Sequence, residues 1–335
     1  DEVFVGRFTY DLLEESKIGT IFTYGDPWND GDNHLVGVDL NLRASEWWRG
    51  QSVSWHSFYM TTNDGVKGSD DVAGTWFSFP NYPFRMGGHW VRTGDDFEPA
   101  LGFIRRRGGQ SSSLHFSYAF DQPDSAVLDD ISVGAEYTRY DLLDGSVDSE
   151  DVELKLVELR TLAGDSCELQ LEFERTVLTK AHPRLPVGIG DYQGTEFELE
   201  FRSSSKRPVF GELELGYGDY YDGTASKAGG SLSWRPSKHA QVNLGGGLTS
   251  ADLPGGDIDA WNGFSGLRVT PTTRLSFNSI VQYDNQSEQI GMNNRFRYII
   301  KSGSDLFLVF NKGFEKEFDD FRTFKTESIV KLGWT

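Results

Sequence analysis

The chain has 335 residues, a formal net charge of −19, 37% hydrophobic and 14% aromatic residues, 38 glycines and 11 prolines. No run approaches the ~18 apolar residues of a membrane helix, so a helical membrane protein is excluded, while a membrane barrel, apolar only at every second strand position, is not. The acidic balance argues against free nucleic acid as a partner, and the single Cys167 excludes an intrachain disulfide or a cysteine-cluster metal site.

Period-2 alternation dominates from the first residues, and no amphipathic helix of three turns is evident. Residues 3–13, VFVGRFTYDLL, read as a strand, and the chain's 335 residues contain no signal-peptide pattern. Segments 24–33 and 61–71 read as long polar loops and 80–83 as a turn. Strand assignments are weakest between 84 and 130. At 156–159 the alternation slips phase, which predicts a bulge.

The clearest segments follow. In 195–202, Thr195, Phe197, Leu199 and Phe201 share one face, and Glu196, Glu198, Glu200 and Arg202 the other. The same division recurs over 209–217, 240–248, 274–283, 292–300 and the last strand. Turns at 203–208, 235–239, 269–273 and 301–305 alternate with longer loops at 217–227, 249–261 and 311–322. Short turns on one rim and long loops on the other are the pattern of outer-membrane barrels, and about nineteen strand candidates fall within their range.

These features predict an all-β fold: a large antiparallel transmembrane β-barrel in the bacterial outer membrane, in contact with the bilayer and its outer-leaflet glycolipid. A soluble β-sandwich also alternates. Against it stand the apolar faces repeated on nearly every strand from 195 to 334, and charges too numerous for a dry core. Tyr217, Trp234, Trp261, Tyr283 and Trp334 fall near strand ends, as an aromatic girdle would. An odd strand number predicts either that further strands precede Asp1, so that the chain is one part of a larger, even-numbered barrel with no second domain inside it, or that one strand assignment is wrong.

The segment 281–314, VQYDNQSEQIGMNNRFRYIIKSGSDLFLVFNKGF, resembles the C-terminal signature of an uncharacterised bacterial outer-membrane barrel family. Residues 5–43 and 185–209 resemble that family's earlier blocks. Tyr298 stands where Trp is usual and Ser302 where Pro is common. The resemblance implies a barrel and a membrane, commonly preceded by a family-9-type carbohydrate-binding module. It implies no catalytic residues.

Candidate functional residues follow from the inward faces. Glu168, Glu172, Glu174, Glu196, Glu198, Glu200, Glu212 and Glu214 would form an acidic wall. Arg268, Arg274, Arg295, Arg297, Lys301, Lys325 and Lys331 would form a basic sector on later strands. Such walls would orient dipolar solutes and disfavour apolar ones in an open pore; in a filled lumen the same charges would pair with each other or with a plug. In the loop 26–33, Asp26, Asn29, Asp30 and Asp32 offer oxygen ligands for calcium. They lack the spacing of an EF-hand, and a solvated loop is the plainer reading. No HExxH pair or GxSxG elbow is present. Three functions stay open: a channel or translocation component with a charged lumen, a plugged barrel anchoring a periplasmic or carbohydrate-binding module or partner protein, and a surface binder acting through acidic loops.

Overall fold

The computed structural model describes residues 2–27, 32–65, 68–181, 185–317 and 320–333. Nineteen strands form one sheet. They are β1 (Phe4–Leu13), β2 (Ser16–Tyr24), β3 (Asn33–Trp48), β4 (Gln51–Asp64), β5 (Gly68–Pro80), β6 (Phe84–Thr93), β7 (Gly109–Asp121), β8 (Leu128–Leu142), β9 (Val147–Thr161) and β10 (Ser166–Leu178). There follow β11 (Gly190–Arg202), β12 (Val209–Tyr220), β13 (Gly223–Ser237), β14 (Ala240–Asp252), β15 (Ile258–Thr272), β16 (Leu275–Asp284), β17 (Gln289–Lys301), β18 (Ser304–Glu317) and β19 (Asp320–Gly333). Each strand pairs antiparallel with the next, as a continuous meander. Among the described residues no register joins β1 to β19.

The sheet wraps around a space rather than a solid core. The accessible surface is 21073 Å², whereas a compact monomer of this mass would expose about 13,800 Å². Only eight apolar side chains are buried among the described residues, while Phe197, Leu199, Leu215, Leu244 and many like them lie open on the outer face. Residues of β2 and of β9, seven strands apart, line one shared pocket, so the wall is strongly curved. This is a β-barrel, apolar outside and polar inside.

The expected phase slip is a bulge in β9. Lys155 and Glu158 face Gly134 and Ser132 of β8, so Leu156 and Val157 together oppose a single residue. Connections after odd-numbered strands are short throughout, and the turn 203–208 is as expected. Three of the long loops shrink because the strands continue: Tyr220 pairs with Gly223, Ala251 with Ile258, and Glu317 with Asp320. The segment 61–71 behaves likewise, with Asp64 opposite Gly68. These hairpin ends need no apolar face, because backbone pairing alone holds a strand that projects into water.

Two connections on the rim opposite the short turns fold inward instead. Residues 185–189 bring Val187 against Ala225 and Ala251 on the inner faces of β13 and β14, with Leu253 beside them. Gly255 permits that approach, since a Cβ there would lie 2.2 Å from the Pro186 carbonyl oxygen. The segment 94–108 buries Phe97 against Leu35 and Val72, flanked by Ile21, Phe58 and Met60.

Candidate functional site

The inner face of β8 to β12 carries the expected acidic wall, and the registers arrange it in rows. Glu136, Glu153, Glu172 and Glu196 lie directly opposite one another across β8, β9, β10 and β11. Glu158, Glu168, Glu200 and Glu214 do the same across β9 to β12. Between these two ladders runs a mixed row of Lys155, Gln170, Glu198, Gly216 and Lys227. Glu174 opposes Asp151, and Glu212 opposes Arg202. All eight glutamates expected on the wall share the inner face. Glu136, Asp151, Glu153 and Glu158 join them. The bulge obscured β9: one face carries Glu153 and Lys155 before it and Glu158 after it, so simple alternation misassigns half the strand.

Like charges directly opposite are unfavourable in a sheet, so each ladder needs cations or water. Lys155 bridges Glu158 at 3.2 Å and Glu168 at 2.8 Å. Lys227 pairs with Glu196 at 2.6 Å, Arg160 with Glu158 at 2.9 Å, and Arg202 with Glu200. Glu136, Asp151, Glu153, Glu172, Glu198 and Glu214 have no hydrogen bond or ion pair among the described residues, and each keeps part of its surface open. Unpaired carboxylates in a dry interior would each cost several kcal/mol. Part of each therefore stays open on the inner face.

The basic residues occupy a second sector, separated from the first by inner faces rich in small residues such as Gly229, Ser231, Gly245 and Gly247. Gln241, Arg268, Asn278 and Arg295 form one row across β14 to β17. Arg268 Nε donates to Asn278 at 3.2 Å. The guanidiniums of Arg295 and Arg297 lie 4.8 and 5.4 Å from the Phe307 ring, and Arg297 reaches Asp305 at 2.7 Å. Lys325 and Lys331 share this inner face on β19, opposite Gly313 and Phe307. Arg274 falls in the turn between β15 and β16 and Lys301 at the end of β17, so these two stand at the rim rather than along the wall.

The inward segment 94–108 went unrecognised in the sequence. It is tied down at several points. Asn33 Nδ2 donates to the Glu98 carbonyl at 2.7 Å, and the Glu98 amide to Thr62 Oγ1 at 3.2 Å. The Asp96 amide donates to Asp70 at 2.9 Å. Arg107 grips Glu98 at 2.8 Å, and Arg106 lies 3.6 Å from the Tyr140 ring and 2.7 Å from Asp148. An apolar cavity of about 710 Å³ remains between this segment and the wall. The one available signal was a run of apolar residues, Phe97, Leu101, Phe103 and Ile104, between glycines at 94 and 108.

Tyr217, Trp234, Trp261 and Tyr283 all sit on the outer face. Trp261 and Tyr283 pack with ring centroids 4.9 Å apart. Trp334 lies outside the described residues. In the loop after β2, Asp32 accepts a hydrogen bond from Tyr24 at 3.0 Å. Asn29 and Asp30 lie outside the described residues, and among the described residues no acidic or histidine cluster, Asp26 and Asp32 included, is placed to hold a metal. On the short-turn rim, Asp165 accepts from the Ser204 amide at 2.8 Å and from Arg207 Nη2 at 2.7 Å. The Arg207 guanidinium, together with that amide, holds the Asp165 carboxyl down at about 2.

No protein-family model and no curated relative matches the sequence. Among solved structures, the fold is similar to the siderophore receptor PirA from Acinetobacter baumannii, with a TM-score of 0.55 and 10% sequence identity. The match covers 98% of this chain and 70% of that one. At this identity the likeness speaks to the fold alone, that of a large antiparallel β-barrel.

Proposed function

We propose that the chain forms an outer-membrane β-barrel whose charged, water-filled lumen passes a hydrophilic solute. The observation that carries this reading is the pair of glutamate ladders. Six of the wall's carboxylates lack any partner among the described residues and remain accessible, a state that only water or a charged solute in the lumen sustains. The apolar outer face with its aromatic residues supplies the lipid contact. The likeness to an outer-membrane siderophore receptor supports a transport-related role without naming a solute.

The inward segment 94–108 favours a second reading. It occupies part of the lumen, as a plug would, and a barrel blocked in this way would serve as an anchor for a module or partner protein. The resemblance of 281–314 to a barrel family that follows a carbohydrate-binding module belongs to this reading. Planar-bilayer recording separates the two. A pore gives discrete, cation-selective conductance steps. Reconstituted protein that stays silent at every voltage overturns the channel reading and leaves the anchor.

A further inference from the structure

A second lumenal feature lies at the short-turn rim, on the inner faces of β13 to β17. A cavity of about 450 Å³ is bounded there by Arg235, Lys238, His239, Arg268, Arg295 and Arg297, with polar Ser276, Gln241 and Asn278 between them and no Asp or Glu in its lining. Asp and Glu outnumber Lys and Arg in this chain by 51 to 32, so five cations around a cavity free of carboxylate depart sharply from the chain's average.

Their partners are mostly neutral. Arg235 donates to Gln241 at 3.2 Å and to the Ser205 carbonyl at 2.8 Å. Arg268 donates to Asn278. His239 Nδ1 lies 2.8 Å from the Thr270 carbonyl. Among the described residues, Asp305 on Arg297 is the one carboxylate paired with any of these cations. Arg297 keeps a second donor, Nε, that is buried and has no acceptor. A buried donor without a partner calls for an explanation, and a guanidinium fork matches an oxyanion in both geometry and charge.

We propose that this cavity binds a compact multivalent oxyanion, phosphate- or carboxylate-bearing, with Arg268, Arg295 and Arg297 as its principal contacts. The volume lies within the range of small-ligand sites. Gln241 and Asn278, in the same row, hold two of the arginines in place, and Asn278 leaves the charge of Arg268 uncompensated. The proposal rests on the wet lumen of the reading above, and it names a ligand held in this sector, not the ion that a pore would conduct. An anion bound here would stand clear of the acidic ladders, which belong to another sector of the wall.

The test is calorimetric titration of detergent-solubilised protein with pyrophosphate, citrate and chloride as separate probes, a readout that does not depend on conductance. Saturable binding of pyrophosphate or citrate, with none for chloride, is expected; the stronger of the two identifies the ligand as phosphate- or carboxylate-bearing. Arg268→Gln and Arg295→Gln should each weaken it about tenfold or more. Arg295→Lys, which keeps the charge and loses the fork, should fall between. Lys206→Gln, in the turn 203–208 and outside the cavity, should bind like the unaltered protein and serves as the control. No binding of either polyvalent anion, or equal loss in the Lys206 variant, overturns the site. A silent bilayer with intact binding would overturn the channel reading alone.

Discussion

Glu198 and Leu199 are consecutive in β11 and project to opposite faces of one wall. Gln170 and Gly216 flank Glu198, while Val157, Leu169 and Leu215 continue the outer band of Leu199. Leu199→Arg places a charge in that band and should cost about 2–4 kcal/mol of membrane insertion at the midplane, read from urea-dependent folding into lipid vesicles. Glu198→Gln removes one unpartnered charge, so folding should be unchanged and the reversal potential in a salt gradient should move toward lower cation preference. A folding defect there would argue against water in the lumen. Asp165 offers a pH readout outside the strands. Its carboxyl falls from 3.8 to about 2 on folding. Its contribution is therefore complete above the unfolded value and is lost as pH falls toward the folded one. The stability difference between the unaltered protein and Asp165→Asn should be constant near neutrality and shrink through that acid window. A difference independent of pH would mean that the Arg207 contact does not persist in solution.

At the scale of elements, what could be read in advance follows from how each element is stabilised. Strands that face lipid on one side and water on the other must alternate, and nineteen of them were countable from that constraint. The inner position of all eight wall glutamates followed from the same rule. Strand ends projecting beyond the lipid lose the constraint, which is why Tyr220, Ala251 and Glu317 read as loop yet pair as strand. The segment 94–108 was illegible for a different reason. Its apolar residues follow no period, because they fill an irregular space against β2 to β6 rather than repeating along a sheet. Phe97, 1% exposed, is the centre of that contact. Phe97→Ala should weaken the docking of the segment by about 3–5 kcal/mol while leaving the strand registers intact. If the segment narrows the lumen, single-channel conductance rises in this variant and protease cleavage within 94–108 appears. Unchanged conductance would place the constriction elsewhere.

At the scale of the whole molecule the outstanding question is closure. A sheet in lipid cannot leave a row of backbone N–H and C=O groups unpaired, since each costs several kcal/mol. Here every register is antiparallel, yet β1 and β19 are both odd-numbered and would have to meet as a parallel pair. Both are exposed almost along their full length. Single-chain bacterial barrels have an even number of strands. A ring completed by additional strands between the two edges would remove both the parallel seam and the odd count. Cysteine cross-linking in cells expressing the full-length protein decides the matter. In a Cys167→Ser background, Thr9→Cys on the inner face of β1 would be combined in turn with Lys325→Cys, Glu327→Cys and Lys331→Cys on the inner face of β19. If further strands intervene, no combination forms a disulfide under oxidant, whereas the control pair Asp11→Cys and Lys17→Cys, directly opposed in β1 and β2, does. A disulfide between β1 and β19 would mean that nineteen strands close on themselves through a parallel seam, and the larger ring would be excluded. The acidic and basic sectors would then share a lumen of nineteen strands, narrower than one enlarged by further strands between β1 and β19.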